Sequence, residues 1–246
     1  MFDCLSDFVT FGLPLHAVVL LIWFQCSLLD VLVANIVNGT KMKLKDQIIY
    51  ATHLAQGMLY LHTCKPPIIH RDLKPANLLI DHSGVLKVAD FGLSKVRPDP
   101  ENTETDAFLM TGETGSYRFM APEVFRHEPY TETVDVYSYG MILFYLLDGK
   151  PPWPFSNGLV AVREASYEGK RPAMPRNWDQ RLQSLLQACW NENSQIRPNF
   201  QTILNTLNEY SSEYEQRKSF FSFELYFLIL FGYLQEMSFI QTQSSR

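Results

Sequence analysis

The chain has 246 residues, 46% hydrophobic and 19% charged, with a formal net charge of -5; this suits one ordinary globular domain or slightly more and supplies no basic field for nucleic acid. No stretch pairs Lys/Arg clusters with interleaved aromatics, so nucleic-acid binding is set aside. The four cysteines, Cys4, Cys26, Cys64 and Cys189, show neither CxxC nor Cys/His ligand spacing, which argues against a disulfide framework and a zinc site and fits a reducing, cytoplasmic setting.

Charge is spread unevenly. No Lys or Arg precedes Lys41, and after Lys218 only Arg246 remains. Three segments follow: an apolar leader over 1–40, a globular lobe over 41–217, and an apolar, aromatic-rich tail over 218–246. Within the leader, 8–29 carries no Asp, Glu, Lys or Arg and reaches the roughly 20 residues of a membrane-crossing helix. Asp3 and Asp7 stand where a signal peptide needs basic residues, and Pro14 and His16 interrupt the apolar run. Lys41, Lys43 and Lys45 after it would keep the lobe in the cytoplasm. Three readings of the leader stay open: a membrane segment, a buried segment, or sequence joined to the lobe by a faulty gene model. In the tail, Phe220 to Leu234 is short for a span and contains Glu224, which favours a packed or interfacial helix.

The lobe opens with a helix over about 44–64, where Ala51, Ala55, Met58 and Leu61 or His62 recur at three- and four-residue intervals. Pro66 and Pro67 stop it, and Ile68-Ile69 makes a short extended approach to a loop, His70 to Asn77. Leu78 to Ile80 and Val85 to Val88 read as strands joined by Asp81-His82-Ser83-Gly84. A hairpin brings its ends together, so Asp90 returns beside Asn77. Further helices are expected near 131–147, 159–168, 179–190 and 198–215, and the near-continuous apolar run Tyr137 to Leu147 predicts a helix buried on all sides.

The chemistry concentrates in His70-Arg71-Asp72-Leu73-Lys74-Pro75-Ala76-Asn77 and Asp90-Phe91-Gly92. Phosphoryl transfer asks a protein mainly for positioning and charge neutralisation. A carboxylate, Asp90, and an amide oxygen, Asn77, suit Mg²⁺; Asp72 suits proton acceptance from a hydroxyl, and Lys74 suits the charge developing on the moving phosphoryl. These motifs resemble the eukaryotic protein kinase family, and Lys74-Pro75 resembles its serine/threonine branch.

The resemblance spans about 41–213 and is carried further by Gly115-Ser116-Tyr117-Arg118-Phe119-Met120, Ala121-Pro122-Glu123, the Asp135 motif Asp135-Val136-Tyr137-Ser138-Tyr139-Gly140, Cys189-Trp190 and Arg197-Pro198. The docking-loop wording and Cys189-Trp190 resemble the tyrosine-kinase-like, Raf-like group, including plant integrin-linked-type kinases. The resemblance implies a mainly helical (α+β) kinase C-terminal lobe with a small β-hairpin at the catalytic loop, ATP and Mg²⁺ as cofactors, and a protein substrate. It implies catalytic roles for Asp72 and Lys74, nucleotide contacts from Lys74, Asn77, Leu79 (the adenine floor) and Asp90, and metal binding by Asn77 and Asp90. Structural roles are implied for His70, Arg71, Phe91, Gly92, Glu123, Asp135 and Arg197, with Glu123 paired to Arg197 and Asp135 holding the catalytic loop's backbone. The activation segment carries Thr103, Thr105, Thr111, Thr114 and Ser116; Ser116 is expected to touch Asp72, and an upstream kinase acting there would engage Arg71.

The chain departs from the family ahead of the loop. A kinase N-terminal lobe needs roughly 60 residues of strands and helix; about 44 precede the first expected helix, Gly12 and Gly39 are their only glycines, and no Lys sits in a strand such as Val31 to Val33. The N-terminal lobe is expected to be largely missing, with Asp30 to Thr40 a remnant of the lobe junction and the chain inactive alone. Two functional classes follow: a serine/threonine protein kinase, and a non-catalytic kinase-like interaction or membrane-tethered module attached through 8–29.

Overall fold

The computed structural model describes residues 24–96 and 116–216. Two compact units divide the chain, 1–206 and 207–246; the elements below belong to the first except where stated.

The described chain enters as strand β1 (Phe24–Ser27) and passes directly into helix α1 (Leu28–Val37). Ser27 and Asp30 set that boundary. The Asp30 amide donates to Ser27 Oγ at 3.2 Å and the Ser27 amide to Asp30 Oδ2 at 2.8 Å, a reciprocal cap that satisfies two otherwise orphaned donors. Leu28 and Leu32, one turn apart, are the buried positions. This corrects two expectations: Val31 to Val33 is helical, and the first helix starts at 28 rather than 44. A run alternating Val and Leu looks strand-like in sequence, and the cap decides the matter.

Helix α2 (Leu44–Thr63) buries Ala51, Ala55, Met58 and Leu61 as the periodicity predicts, together with Ile48 and Leu54. Strand β2 (Ile68–Ile69) pairs antiparallel with β5 (Lys95–Val96). Strands β3 (Leu78–Asp81) and β4 (Leu86–Val88) form the expected hairpin, with Leu78 opposite Val88. Its turn closes on Asp81, whose Oδ1 accepts from the Ser83 and Val85 amides at 2.9 Å, and on Gly84 at φ +79°. Strand β1 adds to the other edge of β3, giving the order β1-β3-β4.

A short helix α3 (Pro122–Phe125) precedes α4 (Thr133–Asp148), buried continuously from Val134 to Leu147. Gly149, left-handed at φ +82°, ends it. Helices α2 and α6 (Gln180–Cys189), the latter capped by Asp179, pack on α4, while α5 (Gly158–Tyr167), capped by Asn157, packs on α3 and on the turn Ser116–Phe119. Helices α4 and α6 meet where Gly140 has no side chain: a Cβ there would lie 2.8 Å from Cys189 Cβ. The last helix, α7, is described over 200–216. In its second-unit part Tyr210 and Tyr214 stack at 6.4 Å.

Of the uncharged stretch 8–29, residues 8–23 lie outside the described residues; 24–29 form β1 and the start of α1, with Leu28 fully buried. The tail 218–246 lies outside them too. Among the described residues no helix is long and apolar enough to cross a membrane.

Candidate active site

The loop from His70 to Asn77 is hung on one carboxylate. Asp135, fully buried in α4, accepts the His70 amide on Oδ2 and the Arg71 amide on Oδ1, each at 2.9 Å, and its Oδ2 also lies 2.9 Å from His62 Nε2. A carboxylate is an acceptor, so in this contact His62 Nε2 is the donor. Arg71 is thereby held at φ +69°, a region costly to a residue with a Cβ. Its guanidinium donates to Leu93 O and, at 3.0 Å, to the Tyr130 hydroxyl. The His70 ring is buried, with Nε2 bonded to Ala89 O at 3.0 Å and its edge on Phe91 at a centroid distance of 5.4 Å. These contacts tie the loop to the Asp90-Phe91-Gly92 turn.

Within the loop, three side chains converge. Lys74 Nζ lies 2.9 Å from Asp72 Oδ2, and Asn77 Nδ2 donates to the same oxygen at 3.0 Å and to Asp72 O at 2.8 Å. Lys74 also donates to Ser116 Oγ at 3.0 Å, which joins the pair to the segment ahead of Ala121-Pro122-Glu123. The sequence expectation put Ser116 on Asp72; the two are linked through Lys74, whose ammonium has donors for both oxygens. With Oδ2 occupied, Asp72 Oδ1 is the oxygen available to an incoming hydroxyl.

Asp90 follows Ala89, whose amide donates to Asn77 O at 2.9 Å. The hairpin therefore returns Asp90 to the neighbourhood of Asn77, as its ends require. Asp90 is exposed at φ +60°, and its Oδ1 accepts from the Gly92 amide at 3.2 Å. A Cβ on Gly92 would stand 3.2 Å from that oxygen, so the glycine leaves the carboxylate room. Asn77 spends its amide N–H groups on Asp72, so Oδ1 is the atom with which it could hold a cation. Among the described residues no group of three or more His, Cys, Asp or Glu could hold a metal. The pair Asp90 and Asn77 nevertheless fits Mg²⁺, which takes one or two protein oxygens and completes its shell with phosphate and water. Leu79 lies half-buried in β3 between Ser27 of β1 and Lys87 of β4.

Behind this cluster Glu123 and Arg197, both buried, form a two-bond pair at 2.6 and 2.9 Å. Arg197 also donates to Asn191 O at 2.9 Å and Thr133 O at 3.0 Å, and its guanidinium lies 5.2 Å over the Tyr137 ring, with Arg171 at 5.4 Å. Burial holds the Tyr137 phenol well above its usual range.

Direct contacts thus unite Asp72, Lys74, Asn77 and Ser116; Asp90 adjoins them, and Asp135, His70, Phe91, Glu123 and Arg197 build the support. Thr103, Thr105, Thr111 and Thr114 lie outside the described residues. Three residues here were not singled out from the sequence for these contacts: His62, Tyr130 and Arg118. Arg118 donates to the carbonyls of Pro152, Trp153 and Ser156.

The family model for protein tyrosine and serine/threonine kinases matches residues 8–207. The chain belongs to the protein kinase family. The kinase chain is 42% identical over 167 residues to serine/threonine-protein kinase STY17 of Arabidopsis thaliana, a match covering 68% of the chain and 28% of that relative. With serine/threonine-protein kinase STY46 of the same plant it shares 44% identity over 163 residues, covering 66% and 27% of the two chains. With serine/threonine-protein kinase CTR1, also from Arabidopsis thaliana, the figures are 40% over 172 residues, 69% and 20%. The kinase chain thus spans about a quarter or less of the length of these relatives. All three relatives are named as serine/threonine-protein kinases, and the chain's helix-rich fold with small sheets is that of a kinase C-terminal lobe. Protein kinases in general use ATP and Mg²⁺ and act on proteins.

Proposed function

We propose that this lobe transfers the γ-phosphoryl group of ATP to a serine or threonine hydroxyl of a protein substrate. The observation that supports it most is the convergence of Lys74 and Asn77 on Asp72 Oδ2 at 2.9 and 3.0 Å, with Ser116 3.0 Å from Lys74. Asp72 then accepts the hydroxyl proton on its remaining oxygen, and Asn77 keeps that carboxylate turned toward the substrate. Lys74 neutralises charge on the moving phosphoryl and also orients Ser116. Asp90 and the Asn77 amide oxygen would hold Mg²⁺, which when bound neutralises phosphate charge. Leu79 offers an apolar floor for the adenine ring. A phosphate added to the activation segment by an upstream kinase would pair with Arg71, whose guanidinium is bonded to Leu93 O and Tyr130.

The lobe is taken to begin at Phe24 rather than Lys41, because β1 and α1 pack on β3 and on the turn at Pro75–Asn77. Any membrane attachment then rests on 8–23. The residues ahead of α2 contain no G-x-G-x-x-G, so the chain by itself offers ATP only its lower contacts. Calorimetry on residues 1–246 should show weak, millimolar MgATP binding that Asp90→Ala removes, and any slow transfer to a protein should vanish in Asp72→Asn. Absence of MgATP binding, or transfer untouched by Asp72→Asn, would overturn the enzyme reading and leave the non-catalytic module.

A further inference from the structure

Arg118 is a cation solvated by backbone. Its Nη1 donates to Pro152 O at 2.8 Å and also to Trp153 O, and its Nη2 donates to Ser156 O. All three acceptors lie in the loop from α4 to α5. Trp153 there is left-handed at φ +49°, a strained conformation for a residue with a side chain. Its carbonyl also accepts from the Ser156 amide at 3.1 Å. The loop is therefore wound so that its carbonyls face the guanidinium, and a planar fork suits such a set better than an ammonium does.

The other end of Arg118 is the tight turn Ser116–Phe119. Two residues before Arg118, Ser116 Oγ accepts from Lys74; one residue after it, Phe119 O accepts from Ser138 Oγ of α4 at 2.8 Å. The turn is thus fixed on its α4 side by Ser138 and on its α5 side by Arg118, and the hydroxyl it presents reaches the ammonium that touches Asp72. The side chains of Lys74 and Ser116 are both partly buried, so their separation follows from how the turn is seated.

We propose that Arg118 is a positioning residue for the transfer reaction: by clamping the Ser116–Phe119 turn to the α4–α5 loop, it sets the Ser116–Lys74 contact and so the orientation of the Lys74–Asp72 pair toward a substrate hydroxyl. The functional part of this inference rests on the kinase reading above; the structural part does not. Arg118 touches neither Lys74 nor Asp72 in the contacts described and acts through Ser116.

The test reads Lys74 directly, in the nucleotide-free full chain labelled with ¹⁵N-lysine, from the ammonium cross-peak of Lys74 assigned with Lys74→Arg. Ser116→Ala moves that cross-peak by removing the acceptor. Arg118→Ala is expected to move it to the same position, and Arg118→Lys, which keeps the charge and loses the fork, to a point between that and wild type. A loss of stability alone would leave the folded-state cross-peak where it was. Should Arg118→Ala fail to fold, Arg118→Lys decides: displacement supports the proposal, and an unmoved cross-peak overturns it. An unmoved cross-peak in Ser116→Ala overturns it as well, because the contact being positioned is then not made in solution. The measurement needs neither ATP nor transfer, so its failure is separate from a failure of the kinase reading, which Asp72→Asn tests.

Discussion

Asp135 carries more of the site's geometry than any residue that would touch a substrate. Its two oxygens meet three donors, at His62, His70 and Arg71, each at 2.9 Å. Asp135→Asn turns one of those oxygens into a donor, and whichever way the amide faces, one N–H is left opposed by another in a buried site. A stability loss of about 1–3 kcal/mol is expected for that unsatisfied group. Urea unfolding would measure it, and faster hydrogen exchange at the His70 and Arg71 amides would locate it. The Glu123–Arg197 pair makes a second case. Glu123→Ala strands a buried guanidinium and should cost about 3–5 kcal/mol in the same experiment. Glu123→Gln, which keeps a carbonyl acceptor, should cost less. At this scale the sequence was informative where chemistry is contiguous: Asp72, Lys74 and Asn77 lie within one loop, and a short hairpin returns Asp90 to it. It was mute on His62, which meets Asp135 across 73 positions of sequence, and on Arg118, whose acceptors are backbone carbonyls with no residue type to mark them.

Among the elements, α4 and α6 are packed backbone to backbone at Gly140. Replacing it with Ala improves helix propensity by about 1 kcal/mol. The added Cβ would stand 2.8 Å from Cys189 Cβ, however, and overpacking of this kind costs typically 1–3 kcal/mol or more. Gly140→Ala should therefore destabilise on balance. Cys189→Gly should relieve the clash in the double variant and Cys189→Ala should not, because the clashing atom is the Cβ itself; chemical denaturation of the four proteins gives the answer. At the start of α1, Ser27→Ala removes the side-chain cap and should cost about 0.5–2 kcal/mol, with hydrogen exchange rising first in the α1 amides. The long helices were legible because their apolar spacing is regular and their ends carry Gly149 or the proline pair 66–67. Helix α1 was not: it is ten residues long with two buried positions, and its Val-rich run reads equally well as a strand. Strand β2 was legible as the extended pair Ile68-Ile69, but β1 and β5, four and two residues long, owe their existence to distant partners, so no local pattern marks them.

On the scale of the whole molecule, the core around α4 holds several groups that must stay protonated. Burial pushes up the Cys189 thiol and the Tyr137, Tyr139 and Tyr145 phenols. A raised folded-state value means that the unfolded chain gives up these protons first, so the stabilisation is complete below the ordinary thiol and phenol ranges and is lost as pH rises through them. Denaturation midpoints should hold steady near neutrality and fall from about pH 8.5, where an ordinary thiol begins to ionise, with a steeper fall near about pH 10 for the phenols. Cys189→Ala should flatten the first part of that curve, and an unchanged slope would refute this account of the thiol. The seating of β1 along β3 bears on how the lobe answers to force. Ser27 is opposite Leu79 in that ladder, and Asn77 immediately precedes β3. Tension applied at Phe24 would load first a strand pair whose last partner, Leu79, stands two residues from Asn77, the proposed metal ligand, so the N-terminal strand is the mechanical neighbour of the reaction centre.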